Sequence, residues 1–353
     1  MPNTVIFSKS SGLNDDLYGN SLAPIRGVIE ENVESFRAMS IIDKVYYLDT
    51  SKNFAEKYTA ETALGDFEDV GENGAYPKTS SQESYSLTVE PTTWKSSFEA
   101  TREMVEDANF GKLKSRANIF ATSYNRTREK YATGLLAGGI GSSVAIGGRS
   151  YSTLCADGQP LFSKAHPSIT GGYDSQSNLF TGAFSLSVLD AMQEKMQDFR
   201  DDNGNLLNLA PDTILIPNVA PLKRAVFEAI GSELDPTSTR NACNFQLGLW
   251  NVIISPYLPR ALGNQPYFFL LDSRFNQDYM CLPWVDRLPL TVHTDRDPNT
   301  DACVWRGRAR FGAGFNNWRS IAVCGEGLTG TALVSTTQPG TGGGTDADDG
   351  QDG

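Results

Sequence analysis

Groups able to act as a general base are scarce in this chain. It has two histidines, His166 and His293, far apart in the sequence, and they are the only imidazoles that could activate a serine or cysteine nucleophile. No Gly-x-Ser-x-Gly turn, which would present a serine nucleophile, occurs. Asp295 and Asp297 could act as a carboxylate pair, although Asp-Arg-Asp-Pro is more typical of a turn. We therefore predict no catalytic residues.

One stretch has metal-ligand spacing. Asp201, Asn203 and Asn205 match the first three ligand positions of a calcium-binding loop. Leu206 stands where that loop needs glycine, and Asp212 stands where it needs a bidentate glutamate. Asp-Asn-Gly after a helical pattern is also common turn chemistry. We expect a turn here and predict no metal site.

Cysteine and glycine usage argues against zinc, disulfide and nucleotide sites. The five cysteines are well separated, with no Cys-x-x-Cys pair, which is typical of a reducing compartment. Glycines over residues 134–148 follow a helical pattern and lack the Gly-Lys-Ser/Thr ending of a phosphate loop. They are expected to end the helix and start a flexible loop, and no cofactor is predicted.

Composition limits the functional classes further. The chain has 353 residues, 39% of them hydrophobic, and a formal net charge of −12. This length allows about two domains with a sizeable core, and so acidic a surface disfavours a dedicated DNA-binding protein. The start lacks a signal-peptide pattern, and the longest uniformly apolar run, at 267–271, is far shorter than the ~20 residues of a membrane helix. We expect a soluble protein made in a cytoplasm, without membrane contact.

The elements predicted for residues 1–96 contain few apolar residues. Residues 1–59 are predicted to form an extended arm with one short helix at 25–39 and a strand at 45–48. Residues 60–96 predict a long β-hairpin, in which alternating segments at 64–70 and 85–89 flank a turn-rich middle. An isolated two-stranded ribbon is marginally stable in water, so this hairpin must lie on another surface.

Helical periodicity begins after residue 97. Residues 98–109 predict a short helix, and residues 110–136 predict a long amphipathic one. We predict that the apolar stripe of the long helix faces the core through Leu113, Phe120, Tyr124 and Tyr131.

The remainder predicts a mixed α/β unit and a tail. Helices are expected from Ser185 to the Asp-Asn-Gly stop at 202–204 and over 219–230, with strands at 213–216, 250–254, 267–271, 290–293 and 304–311. Residues 336–353 are rich in Gly, Thr and Asp, which is typical of a flexible acidic tail. A hairpin without a core of its own, joined to a compact α/β part, is typical of an assembly subunit that buries its exposed parts on neighbours.

Several segments, taken in order, carry a family resemblance. Residues 71–94 resemble an extended loop with an E-x-G-x-Y-P approach (Glu72, Gly74, Tyr76 and Pro77), and residues 98–109 and 110–136 resemble a short helix and the spine helix after it. Residues 157–166 match DG-x-PLFS-x-x-H, the most specific segment, and 212–217, 266–272 and 304–318 complete the set. Over residues 60–322 the chain resembles the major capsid proteins of tailed phages, with the Hong Kong 97-type fold, and among them the Mu-like major head subunit group.

The resemblance implies an α+β subunit with the Hong Kong 97-type capsid fold. The parts implied are an N-terminal arm (1–59), an extended β-hairpin loop (60–96), a peripheral domain (97–204) with the spine helix at 110–136, an axial α/β domain (205–289), a return to the peripheral domain (290–335) and a flexible acidic tail (336–353). It implies a structural protein, not an enzyme, that self-assembles into hexamers and pentamers of an icosahedral shell around packaged double-stranded DNA.

The implied location is the virion, after assembly in the host cytoplasm. Identical subunits are the expected partners, together with a scaffolding protein, a portal and, where present, decoration proteins, with non-specific proximity to DNA.

The extended loop is expected to lie on an adjacent subunit. The predicted inter-subunit contacts are Phe67, Tyr76, Pro77, Lys78, Tyr85 and Leu87. Some relatives crosslink a loop lysine to a neighbour's asparagine, and Lys78 is the only lysine placed for that role. Because no asparagine and acid partners can be identified, Lys78 is expected to be a solvated turn residue or an ion-pair donor.

Two alternatives stay open. An encapsulin-like shell protein of the same fold would store a cargo protein instead of a genome. A cytosolic hydrolase would use His166, or Asp295 with Asp297, and is the less favoured of the two.

Overall fold

The computed structural model describes residues 5–7, 16–61, 67, 69–70, 76, 83–107, 110–234 and 243–333. In this part of the chain the helices are α1 (Asp16–Arg37), α2 (Ile42–Val45), α3 (Arg102–Glu106), α4 (Phe110–Gly138), α5 (Leu186–Gln197), α6 (Ala220–Gly231) and α7 (Ser273–Asp278), with a 3₁₀ turn at Trp318–Ser320. The strands are β1 (Ile6–Phe7), β2 (Tyr47–Thr50), β3 (Glu56–Glu61), β4 (Glu83–Val89), β5 (Thr92–Ala100), β6 (Ser143–Ile146), β7 (Arg149–Ser152), β8 (Leu179–Thr181), β9 (Thr213–Pro217), β10 (Asn251–Ser255), β11 (Tyr267–Leu271), β12 (Pro283–Arg296), β13 (Cys303–Ala313), β14 (Ile321–Gly325) and β15 (Thr331–Ala332). The mixture of helices and sheets confirms the predicted α+β class.

Two sheets organise these strands. A five-stranded sheet has the order β1-β12-β13-β5, with β2 also paired to β12, and a six-stranded sheet has the order β10-β9-β11-β14-β8-β15. β3 with β4, and β6 with β7, form separate antiparallel ribbons. Strands β8 and β14 come from outside the range 205–289, so the six-stranded sheet extends beyond the predicted axial segment. The domain boundaries themselves stay a prediction.

Helix α4 joins two hydrophobic cores. Its first half packs Leu113 and Phe120 against α1 and against the inner face of the five-stranded sheet, where Trp305 is fully buried. Its second half places Tyr131 and Leu135 in the larger core beneath the six-stranded sheet. None of the helices in the described ranges is both long enough and apolar enough to cross a membrane.

The six-stranded sheet is buried on both faces at its centre. Every residue of β9, β11 and β14 is buried, which explains why their sequences are nearly continuous apolar runs instead of alternating ones. Helix α5 packs on this core through Leu189, Met192 and Met196. The hydroxyl of Ser185 caps α5 by accepting a hydrogen bond from the backbone N–H of Val188 at 3.2 Å.

Four expectations about local structure are wrong. Phe98 belongs to strand β5, where it stacks on Trp305 at 5.1 Å, and helix α3 begins only at Arg102. The first strand of the hairpin is β3, not 64–70, because the partner of β4 is Glu56–Glu61; residues 64–66 and 68 lie outside the described residues. The arm is not mainly extended, since α1 has 22 residues and packs on α4. The glycines after α4 form the β6–β7 hairpin, in which Gly147 and Gly148 have φ of +60° and +82°, as a tight two-residue turn requires.

Candidate functional site

The ribbon formed by β3 and β4 is rooted on the subunit's own core. Tyr58 and Val89 pack against Val285 of β12 and are buried, and Leu87 packs on them while half-buried. Gly314 makes this close approach possible, because a Cβ at that position would lie 2.8 Å from Leu87 and 3.1 Å from Val89. The ribbon therefore starts from a fixed, apolar base.

Polar contacts fix the ribbon further along. The Tyr58 hydroxyl donates to Asp49 at 2.6 Å, and burial together with this hydrogen bond raises the pKa of Tyr58 well above its ordinary value. On β4, the Ser84 hydroxyl donates to the Asp202 carboxylate at 3.1 Å. Asp202 is itself buried and accepts from Arg319 at 2.9 Å. The ribbon is thus held by a charged group that is already paired.

Beyond this anchored part, apolar side chains are exposed. The described loop residues Phe67, Val70 and Tyr76 are 108%, 44% and 95% exposed. An aromatic ring in water gains stability only when a partner covers it. Tyr85 and Leu87, which were also predicted to contact a neighbour, are half-buried on their own chain. Pro77 and Lys78 lie outside the described residues.

The four side chains predicted on the core face of the spine helix lie on its inner side. Leu113, Phe120 and Tyr131 are buried, and Tyr124 is partly buried against both cores. Gly307 of β13 lets the helix approach the sheet, since a Cβ there would lie 2.3 Å from the Phe120 ring.

A buried ion pair joins the middle of α4 to the five-stranded sheet. Arg128 donates to both carboxylate oxygens of Asp286, at 2.7 and 3.0 Å, and to the Tyr124 hydroxyl at 3.2 Å. Its guanidinium lies 5.0 Å from the Trp284 ring and 5.1 Å from the Phe311 ring. Burial alone lowers the pKa of Arg128, yet Tyr124 and Asp286 outweigh it and hold the pKa above its ordinary value. The helix and the sheet are therefore locked in one register.

His166 is a structural residue, not a free base. It is fully buried, with Nδ1 at 2.6 Å from Asp157 and Nε2 at 3.1 Å from the Asn178 carbonyl oxygen. Asn178 uses its amide nitrogen to donate to the Leu161 carbonyl at 2.8 Å, so its oxygen accepts. The imidazole also stacks on Trp318 at 4.2 Å. Both ring nitrogens are occupied, which leaves none to take a proton from a substrate.

The other candidate catalytic and metal-binding residues also have structural roles. Asp295 pairs with Arg306 at 3.2 Å on the exposed side of the sheet, and Asp297 accepts from the backbone of Asn299 in the β12–β13 turn. The Asp201 carboxylate accepts from the backbone N–H groups of Asn203, at 2.9 Å, and Asn205, at 2.8 Å, as in a turn. Among the residues that the structure describes, no group of His, Cys, Asp and Glu could hold a metal ion.

A second exposed apolar surface was not predicted from the sequence. It lies at the β10 end of the six-stranded sheet and consists of Phe227, Phe245, Leu247, Leu249 and Ile254, which are 37–64% exposed. Asn244 ties the loop before β10 to α6 by donating to the Ala229 carbonyl at 2.6 Å. The apolar run FQLGLW at 245–250, outside any periodic element, was the available signal. An apolar sheet edge of this kind is typical of a contact surface.

Comparison with known proteins agrees with this architecture. A model of a family described as phage capsid protein matches residues 84–324, which is most of the chain. The capsid of an empty GTA particle, computed with C5 symmetry, is 13% identical with a TM-score of 0.51 over 82% of this chain and 90% of that chain. A chain from Mycobacterium phage Patience is 12% identical with a TM-score of 0.52 over 92% of this chain and 93% of that chain. No curated protein matches the sequence.

At these identities the solved structures establish the fold, which is that of the capsid proteins of tailed phages. The match to the phage capsid protein family, together with this fold, defines a structural shell protein. The chain belongs to the phage capsid protein family. It is accordingly a structural protein, so the prediction that it is not an enzyme is confirmed, whereas the Mu-like subgroup stays a prediction.

Proposed function

We propose that this major capsid protein closes a shell of identical copies by laying the ribbon of each subunit on the next. One observation carries the proposal: the loop of the ribbon exposes Phe67 and Tyr76 almost completely, while the base of the ribbon is fixed on its own core. A rigid base with an uncovered apolar end fits a head-to-tail contact, in which donor and acceptor surfaces differ. The apolar edge at β10 supplies a second surface for contacts within a ring.

The proposal extends to the finer features of assembly. Hexamers and pentamers of the subunit tile an icosahedral shell, assembled in the host cytoplasm, around double-stranded DNA. A net charge of −12 suits an inner wall that encloses DNA without adhering to it. A scaffolding protein, a portal and decoration proteins are the further partners. An encapsulin-like cargo shell and a hydrolase are not favoured, because the family is that of phage capsids and His166 is buried and fully hydrogen-bonded.

The test is assembly of purified protein, followed by electron microscopy and sedimentation velocity. Wild-type protein should form closed particles or rings. Covering one large apolar side chain is worth about 1.5–3 kcal/mol, so Phe67→Ser with Tyr76→Ser should weaken each contact about 10²- to 10⁴-fold.

The matched control replaces two other exposed apolar side chains, Phe54 and Ile119, which are 67% and 66% exposed. Phe54→Ser with Ile119→Ser should leave assembly nearly unchanged. Circular dichroism confirms that both double variants fold. Shells formed by the loop variant at the wild-type concentration would contradict the proposal.

A further inference from the structure

One face of the five-stranded sheet is basic. Along β13, Trp305, Gly307 and Ala309 are buried, and the residues between them point to the opposite face. This basic face carries Lys95, Arg287, Arg306, Arg308 and Arg310, and its acidic residues, Glu99 and Asp295, both lie opposite Val304 near the β12–β13 turn. Arg308 lies directly opposite Lys95 of β5, and both are exposed.

The basic face is short of acidic partners in its own chain. Arg306 pairs with Asp295 at 3.2 Å. Among the described residues, no carboxylate forms an ion pair with the other four members of the face. Burial, and then repulsion by Arg287 and Arg308, lowers the pKa of Arg310. Like charges held this close, in a chain with a net charge of −12, favour an anionic partner from outside the subunit.

The same chain carries a segment with the complementary chemistry. Residues 62–82, named here the acidic loop, connect β3 to β4. The loop contains four carboxylates and one lysine: Asp66, Glu68, Asp69, Glu72 and Lys78. It also carries Phe67 and Tyr76, whose rings are nearly fully exposed. Arginine guanidinium groups pair with carboxylates and also stack on aromatic rings, so a row of arginines fits both kinds of side chain.

The described part of the ribbon is bound at a site other than the basic face of its own subunit. Ser84, next to the acidic loop, is bound to Asp202, which is bound to Arg319. Arg319 lies beyond the end of β13, whereas Arg306 and Arg308 lie nearer the start of that strand. Among the described residues, those of the ribbon form no hydrogen bond or ion pair with Arg306 or Arg308 of their own subunit.

We propose that the acidic loop of one copy docks on the basic face of an adjacent copy, an inference that rests on the proposed function and identifies the acceptor surface of its ribbon contact. Two other anionic occupants fit less well. Residues 334–353 contain four aspartates but no aromatic residue, and a DNA backbone offers only phosphates. Neither would account for the exposed rings that accompany the carboxylates in the acidic loop.

A charge exchange tests the docking. Lys95→Glu with Arg308→Glu should raise the protein concentration needed for shell formation about tenfold or more. The two new glutamates would face the carboxylates of the acidic loop, and like charges placed opposite each other weaken an interface. Glu68→Lys with Asp69→Lys in the loop should impair assembly similarly. Combining all four substitutions restores the net charge of −12 and should return assembly to within about threefold of wild type.

The matched control places the same charge change elsewhere. Arg224 and Arg274 lie on α6 and α7 and are not members of the basic face. Arg224→Glu with Arg274→Glu, combined with the same loop substitutions, should not restore assembly. Restoration by this control as well would mean that only net charge matters, and would overturn the proposal.

Other results separate the remaining explanations. If the Lys95 and Arg308 variant assembles like wild type, or if the loop exchange fails to rescue it, the proposal is overturned. Loss of DNA from otherwise normal particles would assign the face to DNA, and an equal defect on truncation after residue 333 would assign it to the tail; either result overturns the proposal. A wild-type chain that forms no shells refutes the proposed function itself, whereas assembly without rescue refutes only this docking.

Discussion

The buried pair of Arg128 and Asp286 provides a quantitative test of how the spine helix is held. Arg128→Met leaves the Asp286 carboxylate buried, at 4% exposure, without the two hydrogen bonds of 2.7 and 3.0 Å that now satisfy it. Breaking a buried pair by removing one partner costs about 3–5 kcal/mol. Asp286→Leu should cost a similar amount, because it leaves a buried guanidinium uncompensated.

The double variant should behave differently from the sum of the single ones. Arg128→Met with Asp286→Leu removes both charges and fills the space with apolar groups, an exchange that is often neutral. The lost cation–π contacts with Trp284 and Phe311 cost about 2 kcal/mol, partly offset by sulfur–aromatic contacts of the new methionine. We expect a total loss of about 1–2 kcal/mol, where additivity would give about 6–10 kcal/mol.

The measurement is denaturant unfolding of the unassembled subunit, followed by tryptophan fluorescence, to which Trp284 beside Arg128 contributes. Lys130→Met is the control, because Lys130 is exposed on the same helix and should change the unfolding free energy by less than about 0.5 kcal/mol. A double variant that loses as much as the two single variants together would refute the view that the cost lies in an unpaired buried charge.

Three further measurements test other contacts. Burial is the main cause that raises the pKa of Glu129 in the folded protein. Protonated Glu129 therefore contributes stability below the unfolded-state pKa of about 4.3, and this contribution is lost as pH rises through the folded-state pKa. The unfolding free energy of wild type minus that of Glu129→Gln should decrease as pH rises, and a difference that does not change with pH would contradict the raised pKa. Gly307→Ala should cost about 1–3 kcal/mol by driving a methyl group into Phe120, while Gly111→Ala, with open space around it, should be neutral or stabilising in a thermal melt. Of the five cysteines only Cys243 is exposed, so a thiol reagent should label one group per folded chain and five after denaturation, and a second fast-reacting thiol would contradict the described burial.

Elements with one clear period could be predicted from sequence. The apolar stripe on α4 and the uninterrupted apolar runs of β9 and β11 could be recognised without knowing which elements they pack against. The end of β5 was assigned to a helix because Phe98 lies seven residues before Val105, a spacing that fits one helical face. β3 gave no signal, since Tyr58 is its only large apolar residue.

The ribbon and its contacts were also only partly predictable from the sequence. Low apolar content between residues 60 and 90 was enough to predict a ribbon that needs a partner. What holds the ribbon depends on contacts such as that of Ser84 with Asp202, which are 118 positions apart, and no local pattern encodes such pairs. The alternation of arginines in β13 was visible, but its basic face became apparent only once β5 placed Lys95 beside Arg308.

Strand order also has a consequence for synthesis. β14 lies between β11 and β8, and β13 lies between β12 and β5, so in each sheet one interior strand is translated after both of its neighbours. Until β13 has been made, β12 and β5 lack the strand that joins them and Phe120 lacks its contact with Gly307; until β14 has been made, β11 and β8 lack theirs. A polypeptide terminated before residue 303 therefore lacks an interior strand of both sheets, and we expect it not to reach the folded state that assembly needs.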